Sequence, residues 1–145
     1  MKRILPYVII FTIIGLSLGI YYRELTKFMN FYDTVGQKTM LSVAHTHTLV
    51  LGAMIPLLLG LMLHQTNKDI SDIKIPWYLY IIGGSLTIIM IVTRGSIEVY
   101  NLSLTKGLDA SISGLAGLGH TMLGVGLVWI LFKISTFYHK KDASI

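Results

Sequence analysis

The sequence predicts an all-α integral membrane protein built as a bundle of four transmembrane helices. Of its 145 residues, 53% are hydrophobic and only 13% are charged, and the mean hydropathy is +0.68. Soluble domains carry about 25% charged residues, so this chain lacks the polar surface that water requires. Four stretches free of Lys, Arg, Asp and Glu approach or reach the roughly 20 residues that cross a bilayer as a helix. We therefore expect a single membrane domain over residues 1–145.

The first two spans are predicted at 4–22 and 41–63. The first follows Met1-Lys2-Arg3, as a signal peptide would, but its apolar run is longer than about 15 residues and no Ala-x-Ala cleavage site follows. We expect it to remain as an uncleaved helix. The second span contains a polar patch from His45 to Thr48 and a proline, Pro56, which should kink the helix because it lacks a backbone N–H.

The third and fourth spans are predicted at 75–93 and 112–132. The third is uncharged, and the fourth carries His120 as its single titratable side chain. Glycines surround this histidine, and they favour either close helix packing or a flat surface for a planar ligand. The glycines concerned are Gly114, Gly117, Gly119, Gly124 and Gly126.

The positive charges predict that both termini are cytoplasmic. Lys and Arg favour cytoplasmic loops. Seven of them lie in the termini and the second loop, against five in the first and third loops. The net charge of +5 comes without a basic run or stripe, so we expect a lipid bilayer as partner and no nucleic acid. The absence of cysteine excludes thiolate metal sites and covalent haem attachment.

Three of the five histidines fall inside predicted spans, and these are the candidate ligands: His45, His47 and His120. Ionisable side chains at membrane depth are costly and commonly functional. Residues two apart on a helix differ by about 200° around its axis, so His45 and His47 cannot easily chelate one ion. They belong to two different sites, or else they only form hydrogen bonds with backbone carbonyls or neighbouring threonines. His64 and His139 lie at span ends, and we assign them no role.

The segment Val43-Ala44-His45-Thr46-His47-Thr48-Leu49-Val50-Leu51-Gly52 resembles the Val-Ala-His-x-His-x-x-Leu-x-x-Gly segment of haem–copper oxidase catalytic subunits. In that family each of the two histidines binds a different haem iron. The resemblance implies that this chain corresponds to one four-helix arc of the oxidase scaffold, that His45 and His47 are iron ligands, and that three copies form a homotrimer. In such a trimer, His45 of one subunit would face His47 of the next across a haem.

The chain as a whole resembles a family of small, uncharacterised four-helix bacterial membrane proteins, and this resemblance implies a multi-pass protein of the bacterial plasma membrane. The matching segments are Tyr22-Arg23-Glu24 with Thr26-Lys27-Phe28, Ala44-His45-Thr46-His47, Thr93-Arg94-Gly95, and Gly107-Leu108-Asp109-Ala110 running to Gly119-His120. The sequence departs from the oxidases in having no adjacent His-His pair and no His-Pro-Glu-Val-like segment. We therefore expect no copper and no copper-dependent oxygen reduction.

Arg94 is the candidate ligand for haem propionates. Its planar guanidinium suits carboxylates, and the oxidases place arginines comparably after the third helix of an arc. Arg94 and Glu98 are four residues apart on one helix face, so we also expect them to pair. His120 is predicted to be either an alternative axial ligand or a hydrogen-bond donor that orients one.

These observations favour a haem b protein that performs electron transfer, diatomic-gas binding or haem handling, with quinol as a candidate redox partner. Ligation by two histidines favours electron transfer, and a haem-dependent oxidoreductase activity stays open. The alternatives are a transporter of transition metals or small solutes lined by His45, His47 and His120, and a structural membrane subunit without a cofactor.

The predicted topology has a direct test in reporter fusions placed at Lys68 and Lys106. We expect the two fusions to report opposite sides of the membrane, because a single span separates these loops. Activity of both reporters on the same side would contradict the four-span arrangement.

Overall fold

The computed structural model describes residues 4–34 and 38–142, in which four long apolar helices carry most of the chain. Span one is the helix Ile4–Phe28, span two covers Met40–Gln65, span three covers Ile70–Val99, and span four is the helix Lys106–Asp142. All four are long and apolar enough to cross a membrane. Each predicted span is thus confirmed as helix, and each helix is longer than predicted because the helical backbone continues into the polar residues flanking the apolar run.

The chain ends, which we predict to be cytoplasmic, include residues 1–3 and 143–145, which lie outside the described residues. We call the end of the bundle formed by the first and third loops the outer end, following the predicted orientation. The opposite end, with the loop between spans two and three, is the inner end.

The four helices pack in chain order, as an open arc. Span one contacts span two, span two contacts span three, and span three packs along span four in the most extensive helix contact of the described chain. Spans two and three are therefore central: 44% of the residues in the most apolar window of span three are buried, against 11% for span one. At the inner end all four spans contribute to one core, formed around Ile4, Leu63, Trp77 and Ile130.

The first three spans end in the same way, with an asparagine in the left-handed conformation. Asn30, Asn67 and Asn101 have φ angles of 46°, 55° and 52°. After span two, the backbone N–H of Lys68 donates to the Leu63 carbonyl at 2.9 Å and that of Asn67 donates to the His64 carbonyl at 3.1 Å. This is the Schellman pattern, in which glycine is usual and asparagine is the common substitute. It satisfies carbonyls that the helix end would otherwise leave unpaired.

Glycines set the distance between neighbouring spans. A Cβ atom on Gly126 would lie 2.6 Å from the Tyr80 nitrogen, and one on Gly95 would lie 2.2 Å from the Leu41 nitrogen. Both are shorter than atoms can approach, so these backbones touch only because no side chain intervenes. By contrast, a Cβ on Gly114, Gly117 or Gly124 would meet nothing within 4 Å.

Span two is not a continuous α-helix. Its described course is a short 3-10 turn, the α-helix Ala44–Leu49, a π-helical segment Val50–Met54, and the α-helix Ile55–Gln65. The sequence predicts a kink at Pro56, and the structure shows that the irregularity takes the form of a π turn just before the proline. π turns are rare and occur frequently at functional sites.

Span four contains one packed and one unpacked glycine two residues apart, which provide a matched pair of variants. We expect Gly126→Ala to destabilise the protein by about 1–3 kcal/mol, because the added methyl group overpacks the contact with span three. Gly124→Ala, two residues away in open space, should be neutral or stabilising by up to about 1 kcal/mol, since alanine is the better helix former.

Unfolding of both variants in a mixed detergent series measures the difference directly. Equal stability of the two variants would contradict the packing described between spans three and four.

Candidate functional site

Spans two and four line a groove with an apolar base, on the open side of the arc. Its volume is about 350 Å³, and we call it the histidine groove. Three apolar side chains, two histidines and a threonine line it, namely Val50, Leu51, Leu123, His47, His120 and Thr46. The groove therefore brings together two of the three histidines that the sequence singles out.

His47 and His120 lie at nearly the same depth in the bundle. Leu41 packs against Gly95, and His47 is six residues further in, or about 9 Å along the helix. Gly119 packs against Thr87, which lies about 12 Å inward of Gly95, and His120 adjoins Gly119. The Cα atoms of His47 and His120 thus differ in depth by about 4–5 Å, less than one helical turn, which allows one ligand to contact both side chains.

Both imidazoles are held by the same hydrogen bond to their own helix. His47 Nδ1 lies 3.0 Å from the Val43 carbonyl oxygen, and His120 Nδ1 lies 2.9 Å from that of Ala116. A carbonyl oxygen only accepts, so each Nδ1 carries the proton and donates. In the neutral ring the lone pair is then on Nε2. Histidines that bind metals commonly have their second nitrogen fixed in this way.

His45 lies on a different flank of span two, against span one. A Cβ on Gly19 would be 3.7 Å from the His45 Cβ, and His45 Nε2 lies 3.2 Å from the Thr46 hydroxyl. Its Nδ1 is buried and has no hydrogen-bond partner among the described residues. His45 is not among the residues that line the histidine groove.

Arg94 lies outward of the groove and is not among the residues that line it; it lines a separate polar pocket with Glu98 and Asp109. Its Nη2 donates to Asp109 Oδ1 at 2.7 Å and to the Ser113 hydroxyl at 2.9 Å. Ser113 precedes His120 by seven residues, which is two helical turns, so the two share a face of span four about 10 Å apart. The guanidinium therefore lies above the His120 side of the groove.

The predicted pairing of Arg94 with Glu98 is not what the structure shows. Glu98 Oε2 instead accepts hydrogen bonds from the Thr39 hydroxyl at 2.9 Å and from the Met40 backbone N–H at 2.7 Å. The first N–H groups of a helix have no acceptor within that helix. Glu98 supplies one at the start of span two, which leaves Asp109 as the carboxylate that Arg94 contacts.

The glycines near His120 divide into two groups. Gly119 and Gly126 pack against span three, whereas Gly117 and Gly124 have open space beside them. The open pair lies three residues before and four residues after His120, on the same helix face. The surface next to the imidazole is consequently flat.

Sequence reasoning missed three residues of the site region: Asp109 and Ser113, which orient Arg94, and Tyr80, whose hydroxyl donates to the Leu51 carbonyl in the groove wall. Each of these three residues forms its hydrogen bond with a residue of another helix. Only Asp109 could have been suspected from the sequence, because it is an acidic residue near the same loop as Arg94. Within residues 4–34 and 38–142, no group of three or more His, Asp or Glu side chains forms a metal-binding cluster.

The chain belongs to a family described as "Protein of unknown function (DUF2871)", whose model matches residues 1–137. This confirms the predicted membership of a small, uncharacterised family that covers nearly the whole chain. No curated protein and no solved structure matches the chain.

Proposed function

We propose that this member of the DUF2871 family is a membrane haem b protein with His47 and His120 as its axial ligands. The observation that carries the proposal is that two imidazoles, each with Nδ1 fixed by a carbonyl, line one groove at similar depth. Each ring can offer its Nε2 lone pair to a single iron. Fixing Nδ1 also holds the ring orientation, which lowers the entropy lost on ligation.

The composition of the groove suits haem better than it suits a bare metal ion. Structural zinc takes four ligands from the protein, whereas haem brings four nitrogens in its macrocycle and needs only axial ligands. Val50, Leu51 and Leu123 offer apolar contact to a macrocycle, and Gly117 and Gly124 leave room beside His120. Because the chain has no cysteine, the haem would be bound without thioether links.

Arg94 would hold the haem propionates on the outer side of the histidine groove. Its guanidinium has two in-plane donors for a carboxylate. Asp109 now occupies that position, with side-chain exposures of 32% for Arg94 and 53% for Asp109. We propose that a haem carboxylate replaces or joins Asp109 there, which would fix the orientation of the macrocycle with its propionates towards the outer surface.

Two-histidine ligation points to electron transfer as the activity. Haem supplies one-electron redox chemistry when bound, and two axial imidazoles leave no open position for a gas. The carbonyls of Val43 and Ala116 hold the imidazoles, and the apolar side chains of the groove would limit the access of water to the haem. A membrane quinol is the redox partner we propose, since the site lies within the span region.

A homotrimer with haem bound between subunits is the alternative scheme. Spans one and four are the ends of the arc and bury few of their residues. In a trimer, His45 of one subunit would face His47 of the next, as the resemblance to one oxidase arc implies. This scheme and the His47–His120 scheme within one subunit make different predictions for His45 and His120.

Single alanine variants separate the two schemes by their visible spectra. We expect His47→Ala and His120→Ala each to convert a six-coordinate low-spin spectrum to a five-coordinate high-spin one, or to lose haem, because one axial bond disappears. His45→Ala should keep the low-spin spectrum. Purified variants, measured oxidised and dithionite-reduced, give the result.

His64→Ala is the matched control, since His64 is exposed at the inner end and should leave the spectrum unchanged. A change in His45→Ala together with an unchanged His120→Ala would replace the intrasubunit scheme by ligation between subunits. Unchanged low-spin spectra in both His47→Ala and His120→Ala would refute the ligand assignment. A colourless protein that retains zinc or copper would favour the transporter alternative.

A further inference from the structure

The backbone of span two changes register beside the histidine groove. In the π-helical segment, the N–H of Ile55 donates to the carbonyl of Val50, five residues back. In a continuous α-helix it would donate to Leu51, four residues back. Val50 and Leu51 line the groove, so the change of register takes place in its wall.

Pro56 leaves one carbonyl of span two without a backbone partner in either register. In the π register the missing N–H of residue 56 would have paired with Leu51, and in the α register it would have paired with Gly52. An unpaired carbonyl in an apolar interior lowers the population of the conformation that contains it several-fold. The backbone therefore needs an outside donor, and the donor's position decides which register is stable.

That donor is Tyr80 of span three. Its hydroxyl donates to the Leu51 carbonyl at 2.6 Å, and the residue is 1% exposed. It satisfies the carbonyl that is orphaned in the π register. The alternative orphan, Gly52, lies against Phe11, since a Cβ there would be 2.2 Å from the Phe11 ring, and a ring carbon donates no comparable hydrogen bond.

The register determines which way His47 faces. A π turn holds one more residue than an α turn, so it offsets the outer half of span two from the inner half by one residue, or about 100°. Counted with that offset, His47 lies about 20° around the axis from Leu59, which is buried in the core with spans three and four. In a continuous α-helix the angle would be about 120°.

We propose that Tyr80 is a positioning residue whose hydrogen bond to Leu51 selects the π register and thereby holds His47 in the histidine groove. The effect on haem rests on the proposed function, whereas the effect on the direction of His47 does not. Among the hydrogen bonds of the described residues, none joins Tyr80 to either imidazole, and it acts through the backbone of span two.

Cross-linking tests the direction of residue 47 without haem. The chain has no cysteine, so His47→Cys with His120→Cys introduces the only two thiols. We expect a short bifunctional thiol reagent to join them across the groove in the otherwise unchanged protein. The same pair is then measured with Tyr80→Phe, with Tyr80→Phe plus Pro56→Ala, and with Tyr78→Phe, a control that removes a hydroxyl from an exposed residue of the same helix.

The combined variant is the decisive one. The alanine that replaces Pro56 supplies an N–H that can pair with Gly52 in the α register or with Leu51 in the π register. The α register then becomes fully paired, whereas a π turn, which holds one more residue than an α turn, still leaves one carbonyl without a backbone partner. Residue 47 should therefore turn away from residue 120. We expect the cross-linked fraction to fall by at least about fivefold, the factor for one unpaired buried carbonyl. The thermal midpoint should nevertheless be higher than that of Tyr80→Phe alone. Tyr78→Phe should cross-link like the unchanged protein.

A purely structural role would move stability and cross-linking in the same direction. Cross-linking that recovers together with stability in the combined variant would overturn the proposal. In the protein with both histidines, the low-spin fraction should fall in the same order as the cross-linking. If cross-linking follows the expected order while no form binds haem, the positioning of residue 47 stands and the haem function fails.

Discussion

Inside a bilayer, every backbone polar group must find its partner within the protein, and this constraint shapes the structure around the histidines. Threonines of the spans donate back to carbonyls of their own helices, as Thr48 does to Ala44 at 2.8 Å. His47 and His120 do the same through Nδ1. Because one nitrogen of each ring is committed, the other is available, and both rings line the same groove.

The same constraint explains the irregular course of span two. A proline at membrane depth always leaves a carbonyl without its helical partner, and here a tyrosine from the neighbouring span supplies the hydrogen bond. The resulting π turn is therefore a consequence of the contact between spans two and three. Because of this turn, the direction of His47 in the outer half of span two depends on how the inner half packs in the core. Close packing of span three against both span two and span four through glycines keeps the two walls of the groove at a fixed separation.

The number and order of the helices could be predicted from the sequence because long uncharged runs have one stable form in hydrocarbon. Helix ends were harder to predict, since the asparagines that terminate spans one to three are signalled by conformation and not by hydropathy. Candidate site residues could be named one by one from the sequence, and the structure separates them: His47 and His120 line the groove, whereas His45 lies against span one and Arg94 lies outward of the groove. The grouping of these residues could not be predicted, because it depends on contacts between helices that are far apart in the sequence. Arg94 was expected to pair with Glu98 on its own helix, yet the start of span two uses that carboxylate.

Haem binding by this groove is the central claim, and titration of the purified protein with haemin in detergent tests it most directly. The account predicts a saturable Soret band at one haem per chain, with sharp α and β bands after reduction, as two histidine ligands require. A non-saturating absorbance that matches free haemin in the same detergent would contradict it.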